Sequence, residues 1–208
     1  FYSSIGSIFF ILFVFGTRPE AIKLAPLISL IKKNNKFNTI VCTTGQHKEM
    51  LNQVIDFFEI KVDYNLKLMT KNQSLNSLSS KIISSVDEII VNEKPDYVFV
   101  HGDTTTTAFA SIASFHNQTK ICHIEAGLRT NNKFSPFPEE INRTITGKLA
   151  DFHFAPTKKA LDNLINENVD RKNIVITGNT VIDALNHSKK IIKNYKNNEI
   201  NSLKKILD

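Results

Sequence analysis

Several kinds of residue and pattern are scarce in this 208-residue chain, and each scarcity closes a possibility. Cysteine occurs twice, at Cys42 and Cys122, far apart and inside apolar stretches. Two such residues make no disulfide framework and no zinc-ligand spacing, and they read as reduced, buried small hydrophobes. With no signal-peptide cleavage pattern beside them, a cytoplasmic setting is expected. Apolar runs are short: Ile8 to Phe15, IFFILFVF, is eight residues, where a membrane-spanning helix needs about 20. No membrane partner is expected, and the run reads as a fully buried strand. Arginine is scarce as well, with four among 26 basic residues. A nucleic-acid binder more often spreads arginine and aromatics along a stripe, so no nucleic-acid partner is expected. There is no internal repeat and no low-complexity linker.

What is present describes a folded, water-soluble chain with a sizeable core: 41% of residues are hydrophobic and 22% charged. The formal charge of +6 sits mainly at the end, where Asn186 to Asp208 holds six lysines against Glu199 and Asp208. Such a run reads as a solvated helix face. Residues Phe1 to Ser7 lack an initiating Met and read as a leader, a tag or the edge of a fragment.

Short apolar runs alternate with longer segments of helical period, a pattern that predicts βαβ units on a parallel sheet with helices on both faces. Strands are predicted over Ile8 to Phe15, Thr39 to Thr43, Tyr97 to His101, Lys120 to Ile124, Asp151 to Ala155 and Ile174 to Thr177. Helices are predicted over Glu20 to Lys33, Lys48 to Phe58, Leu75 to Asn92, Thr104 to Phe115, Glu139 to Leu149 and Lys158 to Asn166, with a last one from about Val181. The polar clusters GTRPE, TGQH, HGDT, EAGLR and TGNT all follow strands. In open α/β sheets the C-terminal strand edge is where ligands bind, so one crevice is expected there.

Several clusters carry chemistry. In Gly16-Thr17-Arg18-Pro19-Glu20 a tight turn starts a helix, whose free N–H groups, with Arg18 and Lys23, suit an anionic ligand. No G-x-G-x-x-G and no Walker loop follows the first strand, so no dinucleotide cofactor is assigned. His101-Gly102-Asp103 and His123-Ile124-Glu125 share a His-x-acid spacing, and period two puts each histidine on the same face as its acid. Two converging carboxylates suit acid and base work. The same four side chains could instead ligate a metal, or the histidines could only cap their strands. The four threonines Thr104 to Thr107 suggest hydroxyls or N–H groups turned toward a ligand, with a structural cap as the alternative. In Phe134-Ser-Pro-Phe-Pro-Glu139-Glu140-Ile-Asn-Arg143 two prolines forbid helix, and Glu139 and Arg143 fall on one face of the helix that follows.

Taken in order, FGTRPEAIKLAPLI, TTGQHKEML, VHGDTTTTAFA, HIEAGLRT, SPFPEEINR and ITGNTVIDAL resemble the non-hydrolysing UDP-N-acetylglucosamine 2-epimerase family of bacteria and archaea. The likeness runs from Phe15 to Leu185. It implies the first half of a glycosyltransferase-B-like fold of two Rossmann-like domains. Residues 1–185 would be the N-terminal domain and 186–208 the start of the connection to a second domain that lies beyond this chain. By the same likeness Asp103, Glu125 and Glu139 are the catalytic carboxylates, Arg18, Lys23 and Arg143 are substrate-binding cations, and Gln46 and His47 contact a second, activating substrate molecule. Glu49 and Asn72 stand where some members carry Gln and Arg.

The implied partner is UDP-N-acetylglucosamine, with no cofactor and no metal, in a homodimer serving cell-surface polysaccharide synthesis. The implied reaction is reversible inversion at C2 by elimination and re-addition of UDP. The competing expectations are a hydrolysing epimerase that releases N-acetylmannosamine and UDP, a glycosyltransferase of the same architecture, and a half-enzyme that holds a nucleotide sugar without turning it over.

Overall fold

A computed structural model of the protein describes residues 8–45 and 48–194. The β-branched and aromatic runs form seven strands: β1 (Phe9–Phe15), β2 (Phe37–Thr43), β3 (Tyr64–Asn65), β4 (Tyr97–His101), β5 (Lys120–Ile124), β6 (Phe152–Ala155) and β7 (Ile174–Ile176). They pair in parallel in the order β3-β2-β1-β4-β5-β6-β7. The connecting helices are α1 (Arg18–Lys32), α2 (Lys48–Phe57), α3 (Leu75–Glu93), α4 (Thr105–His116), α5 (Glu139–Leu149) and α6 (Lys158–Asn166), with α7 (Val181–Asn194) closing the order. The expected Rossmann-like sheet is therefore present, with strand and helix limits within about two residues of the sequence reading for most elements. The two-residue β3 is an addition. It is too short to carry a period, and it forms because Asp63 reaches back to the Val41 N–H at 3.0 Å beside the Cys42 to Tyr64 pairing.

Period two explains why helices cover both faces. In β1, Ile11, Phe13 and Phe15 enter one apolar cluster with Leu24, Ile28, Leu51 and Ala184 from α1, α2 and α7. Leu12 and Val14 enter another with Ile82, Val86, Ala110 and Ala113 from α3 and α4. A strand buried on both sides has to be apolar throughout, which accounts for Ile11 to Phe15, whereas Ile8, Phe9 and Phe10 are exposed, so the run is not buried along its whole length as expected. Cys42 lies in the second cluster, and burial pushes the Cys42 and Cys122 thiols up to about 12. Both are free, and both keep their protons at neutral pH. The last helix, α7, runs without a break across position 185, and Ile191 packs against the first cluster. Among the described residues no helix is long and apolar enough to cross a membrane.

The chain leaves β1 toward β2 and β3, then returns to the other side of β1 as β4. Connections on the two sides leave on opposite faces, which makes the β1/β4 junction the topological switch point. The pairing shows where it opens. β1 and β4 are in register only from Ile11↔Tyr97 to Phe13↔Phe99. By contrast, β1 stays paired with β2 as far as Phe15↔Thr43, and β4 with β5 as far as His101↔Ile124.

Candidate active site

The first corner of the site is the turn from β1 into α1. Thr17 caps the helix and Glu20 completes a capping box, but the Glu20 side chain does more than cap. It is 2% exposed, and its Oε2 accepts the Gly16 and Thr17 N–H groups at 3.0 and 2.7 Å. The chain's own carboxylate thus occupies the two N–H groups that precede the helix, and Thr17 Oγ1 accepts the Glu20 N–H within its first turn at 3.5 Å.

The second corner follows β4. Gly102 takes φ +68°, which ends the strand and turns Asp103 toward the cleft, and Thr104 caps α4 by accepting the Thr107 N–H at 3.1 Å. The threonine run is chiefly structural. Thr106 meets Thr44 at 2.8 Å, Thr107 donates to the His101 carbonyl at 2.6 Å, and both are buried. Of the four, Thr104 lines the cleft.

The third corner follows β5. Glu125 adopts φ +62°, a left-handed conformation that costs a non-glycine residue about 1–2 kcal/mol. It lies 2.5 Å from Lys23 Nζ and 2.9 Å from His101 Nε2, the latter out of line for a good hydrogen bond. Because Gly102 and Glu125 both leave the extended region, period two does not extend to either acid. His101 sits beside Glu125, and His123 Nε2 meets the Gly102 carbonyl at 2.7 Å. Among the described residues no group of three or more His, Cys, Asp or Glu is arranged to hold a metal ion.

From α5, Arg143 reaches Asp103 with an Nη2 to Oδ2 distance of 2.7 Å, and Asn142 donates to the Asp103 carbonyl at 3.0 Å. The sequence placed Arg143 with Glu139. The structure pairs it instead with Asp103 and brings Glu140 within 3.6 Å of its Nε. Glu140 is buried because its carboxylate also accepts the N–H groups of Thr130 and Asn131 at 2.8–3.1 Å. Neither Glu20 nor Glu140 stood out in the sequence. Glu20 carried a capping-box signal, whereas the partners of Glu140 lie nine and ten residues upstream, where no local pattern points to them.

These corners enclose a cavity of about 490 Å³ lined by Glu20, Lys23, His101, Asp103, Thr104 and Glu125, among others. Asp103, Glu125 and Lys23 thus share one cavity, and Arg143 closes on it through Asp103. Glu139, in the first turn of α5, is half-buried and outside the lining, yet its charge acts on Asp103. Arg18 is exposed on the first turn of α1, also outside the lining. Gln46 and His47 lie outside the described residues.

The two lining carboxyls that sequence reading singled out sit in opposite electrostatic settings. Burial raises Asp103, Arg143 opposes the rise, and the carboxyls of Glu139, Glu125 and Glu20 add to it, so the net shift is upward. Burial would also raise Glu125, but the contacts and charges of His101 and Lys23 outweigh it and bring the group down to about 2. Glu125 is therefore ionised at neutral pH, and Asp103 holds a proton more readily than an ordinary aspartate. Such a pair divides acid from base within one pocket.

A family model described as UDP-N-acetylglucosamine 2-epimerase matches residues 29–207. The UDP-N-acetylglucosamine 2-epimerase of Salmonella borreze is 59% identical over 175 residues, 84% of this chain and 46% of that protein. A crystal structure of the UDP-GlcNAc 2-epimerase from Neisseria meningitidis bound to UDP-GlcNAc superposes with a TM-score of 0.86 at 52% identity, over 88% of this chain and 50% of that one. A lipopolysaccharide outer core galactosyltransferase superposes at 0.61 with 12% identity over 82% of this chain and 45% of that one, a likeness of fold alone. The chain spans about half the length of the curated relatives it matches.

Proposed function

Because the chain belongs to the UDP-N-acetylglucosamine 2-epimerase family, we propose that at the full length of its relatives the protein interconverts UDP-N-acetylglucosamine and UDP-N-acetylmannosamine without releasing the sugar. The observation that carries this reading is the placement of Asp103 and Glu125 on one cavity in opposed electrostatic settings, with Lys23 and Arg143 beside them.

The C2 hydrogen of this sugar has no neighbouring carbonyl to acidify it, so simple deprotonation is a poor route. Elimination avoids the difficulty. A carboxylate takes the C2 proton while the C1–O bond to UDP breaks, leaving 2-acetamidoglucal with a C1=C2 double bond. UDP oxygen then re-adds to C1 while an acid on the opposite face delivers a proton to C2. Bonds and protons balance with no redox step, so no redox cofactor is required. Lys23 and Arg143, with Arg18 at the rim, suit the charge that develops on the departing diphosphate. Glu125, ionised, suits proton removal, and Asp103, shifted upward, suits proton delivery in the forward direction. Glu139 completes the acidic set from the first turn of α5. The family likeness supports contact of Gln46 and His47 with a second substrate molecule. The family likeness supports a homodimer and a cytoplasmic setting, which light scattering and fractionation of the full-length protein would check.

The test is product analysis by proton NMR on the full-length protein supplied with UDP-N-acetylglucosamine. The expected result is UDP-N-acetylmannosamine in equilibrium with substrate. Free N-acetylmannosamine with stoichiometric UDP would replace this reading with the hydrolysing reaction, and no change in the sugar would reject both.

A further inference from the structure

The switch-point cleft has a structural weakness that its ladder does not repair. β1 and β4 stop pairing at Phe13↔Phe99, two residues before either strand ends. Beyond that point the β1–α1 turn, which leads to Lys23, and the β4–α4 turn, which carries Asp103, diverge toward opposite faces. Among the described residues no backbone hydrogen bond joins them. The Glu20 carboxylate fills the gap. Its Oε2 accepts Gly16 N–H at 3.0 Å and Thr17 N–H at 2.7 Å on one side. Its Oε1 accepts the Thr104 hydroxyl at 2.8 Å and lies 3.2 Å from the Thr107 hydroxyl on the other. Among the described residues no lysine or arginine pairs with it, and the two N–H groups and the Thr104 hydroxyl are its close donors.

We propose that Glu20 is a positioning residue that ties the two turns across the switch point, so that Lys23 and Asp103 face the same ligand at a fixed separation. A helix cap alone would need the Thr17 side of this arrangement and not the Thr104 side. The carboxylate has both its oxygens engaged, each toward a different turn, which is the geometry of a cross-brace. The inference rests on the epimerase reading for its kinetic test and stands apart from it in its structural one.

In the full-length protein, Glu20→Ala should lower kcat about 10²-fold while calorimetric UDP affinity changes less than about threefold, the pattern of misplaced rather than missing contacts. Glu20→Gln keeps an acceptor for the N–H pair and offers N–H donors to the threonine hydroxyls, and it should recover at least about tenfold of that loss. Amide exchange at Gly16 and Thr17 should quicken at least about tenfold in Glu20→Ala. Thr107→Val, which removes one hydroxyl from the far side, should be non-additive with Glu20→Gln. This pair carries the test if Glu20→Ala does not fold. A kcat within twofold of the unmodified protein, unchanged exchange at Gly16 and Thr17, or full additivity of the Thr107 and Glu20 variants would overturn the brace. If the unmodified protein does not epimerise, the activity reading fails, and the additivity of the Thr107 and Glu20 variants, read in urea unfolding, still decides the brace.

Discussion

Glu125 concentrates the chemistry of the site at one residue, because a left-handed backbone holds its carboxyl against Lys23 and His101. Its shift from 4.5 to about 2 means that the folded state binds its proton less readily than the unfolded chain. The resulting stabilisation, on the order of 3 kcal/mol by linkage, is complete above about pH 4.5 and is lost as pH falls through about 2. His123 acts over a higher window with the same sign. Burial lowers it from 6.5 to about 3 against the bond to Gly102, so it favours the fold fully above pH 6.5 and progressively less on acidification toward 3. Melting temperature should therefore begin to fall below pH 6.5, and His123→Gln should flatten the decline between pH 6.5 and 4.5. A decline of unchanged slope would remove His123 as its cause, although His153, lowered likewise by burial, will keep part of it.

Lys23→Met should raise the Glu125 carboxyl and move the acid limb of the kcat/KM profile upward in pH, and an unmoved limb would take Lys23 out of that pairing. Amide replacement of Asp103, Glu125 or Glu139 in turn should lower kcat by about 10² or more. Near-normal turnover would strike the residue from the catalytic set.

At this scale the sequence was partly legible. Asp103 and Glu125 were readable because each follows a strand that ends at a cleft. The true partners of Arg143, Glu20 and Glu140 were not, because those contacts join segments distant in the chain or cross the helix face that spacing alone favours.

Elements were more legible than contacts, since period two and the helical period are local signals. Tyr97–His101, Lys120–Ile124, Glu139–Leu149 and Lys158–Asn166 have the limits their residues suggest. The turns between them are set by tertiary packing, and two glycines separate the contributions. Gly127, at φ +89°, has the Ala160 carbonyl oxygen 2.2 Å from where a Cβ would stand, whereas Gly102, at φ +68°, has nothing within 4 Å. Gly127→Ala should cost about 3 kcal/mol or more in urea unfolding, because strain and overlap with α6 add. Gly102→Ala should cost about 1–2 kcal/mol from the backbone alone. Equal costs would mean that α6 yields freely and that the β5–α5 loop is not pinned against it. The loop has other ties to that helix: Asn163 donates to the Gly127 carbonyl at 2.9 Å, and Arg129 holds Glu167 through two bonds at 2.6 and 2.8 Å.

For the whole molecule, the parallel sheet was legible from alternation, and the crevice from the placement of polar clusters at strand ends. The hold of Glu20 on the Gly16 and Thr17 N–H groups was not legible, because a capping residue that folds back on its own turn leaves the same sequence signature as one that does not. What the sheet delivers is one cavity at the switch point, with an Asp103 shifted upward, an ionised Glu125 and two paired cations. The central claim is that these groups break and remake the C2–H bond while UDP departs and returns. Its most direct test is to run the full-length protein on UDP-N-acetylglucosamine in deuterated water and read C2 of the recovered nucleotide sugars by NMR. One deuterium at C2 of the UDP-N-acetylmannosamine formed is the predicted result. Epimer carrying only the original hydrogen at C2 would contradict exchange through solvent-accessible carboxyls and the elimination route with it.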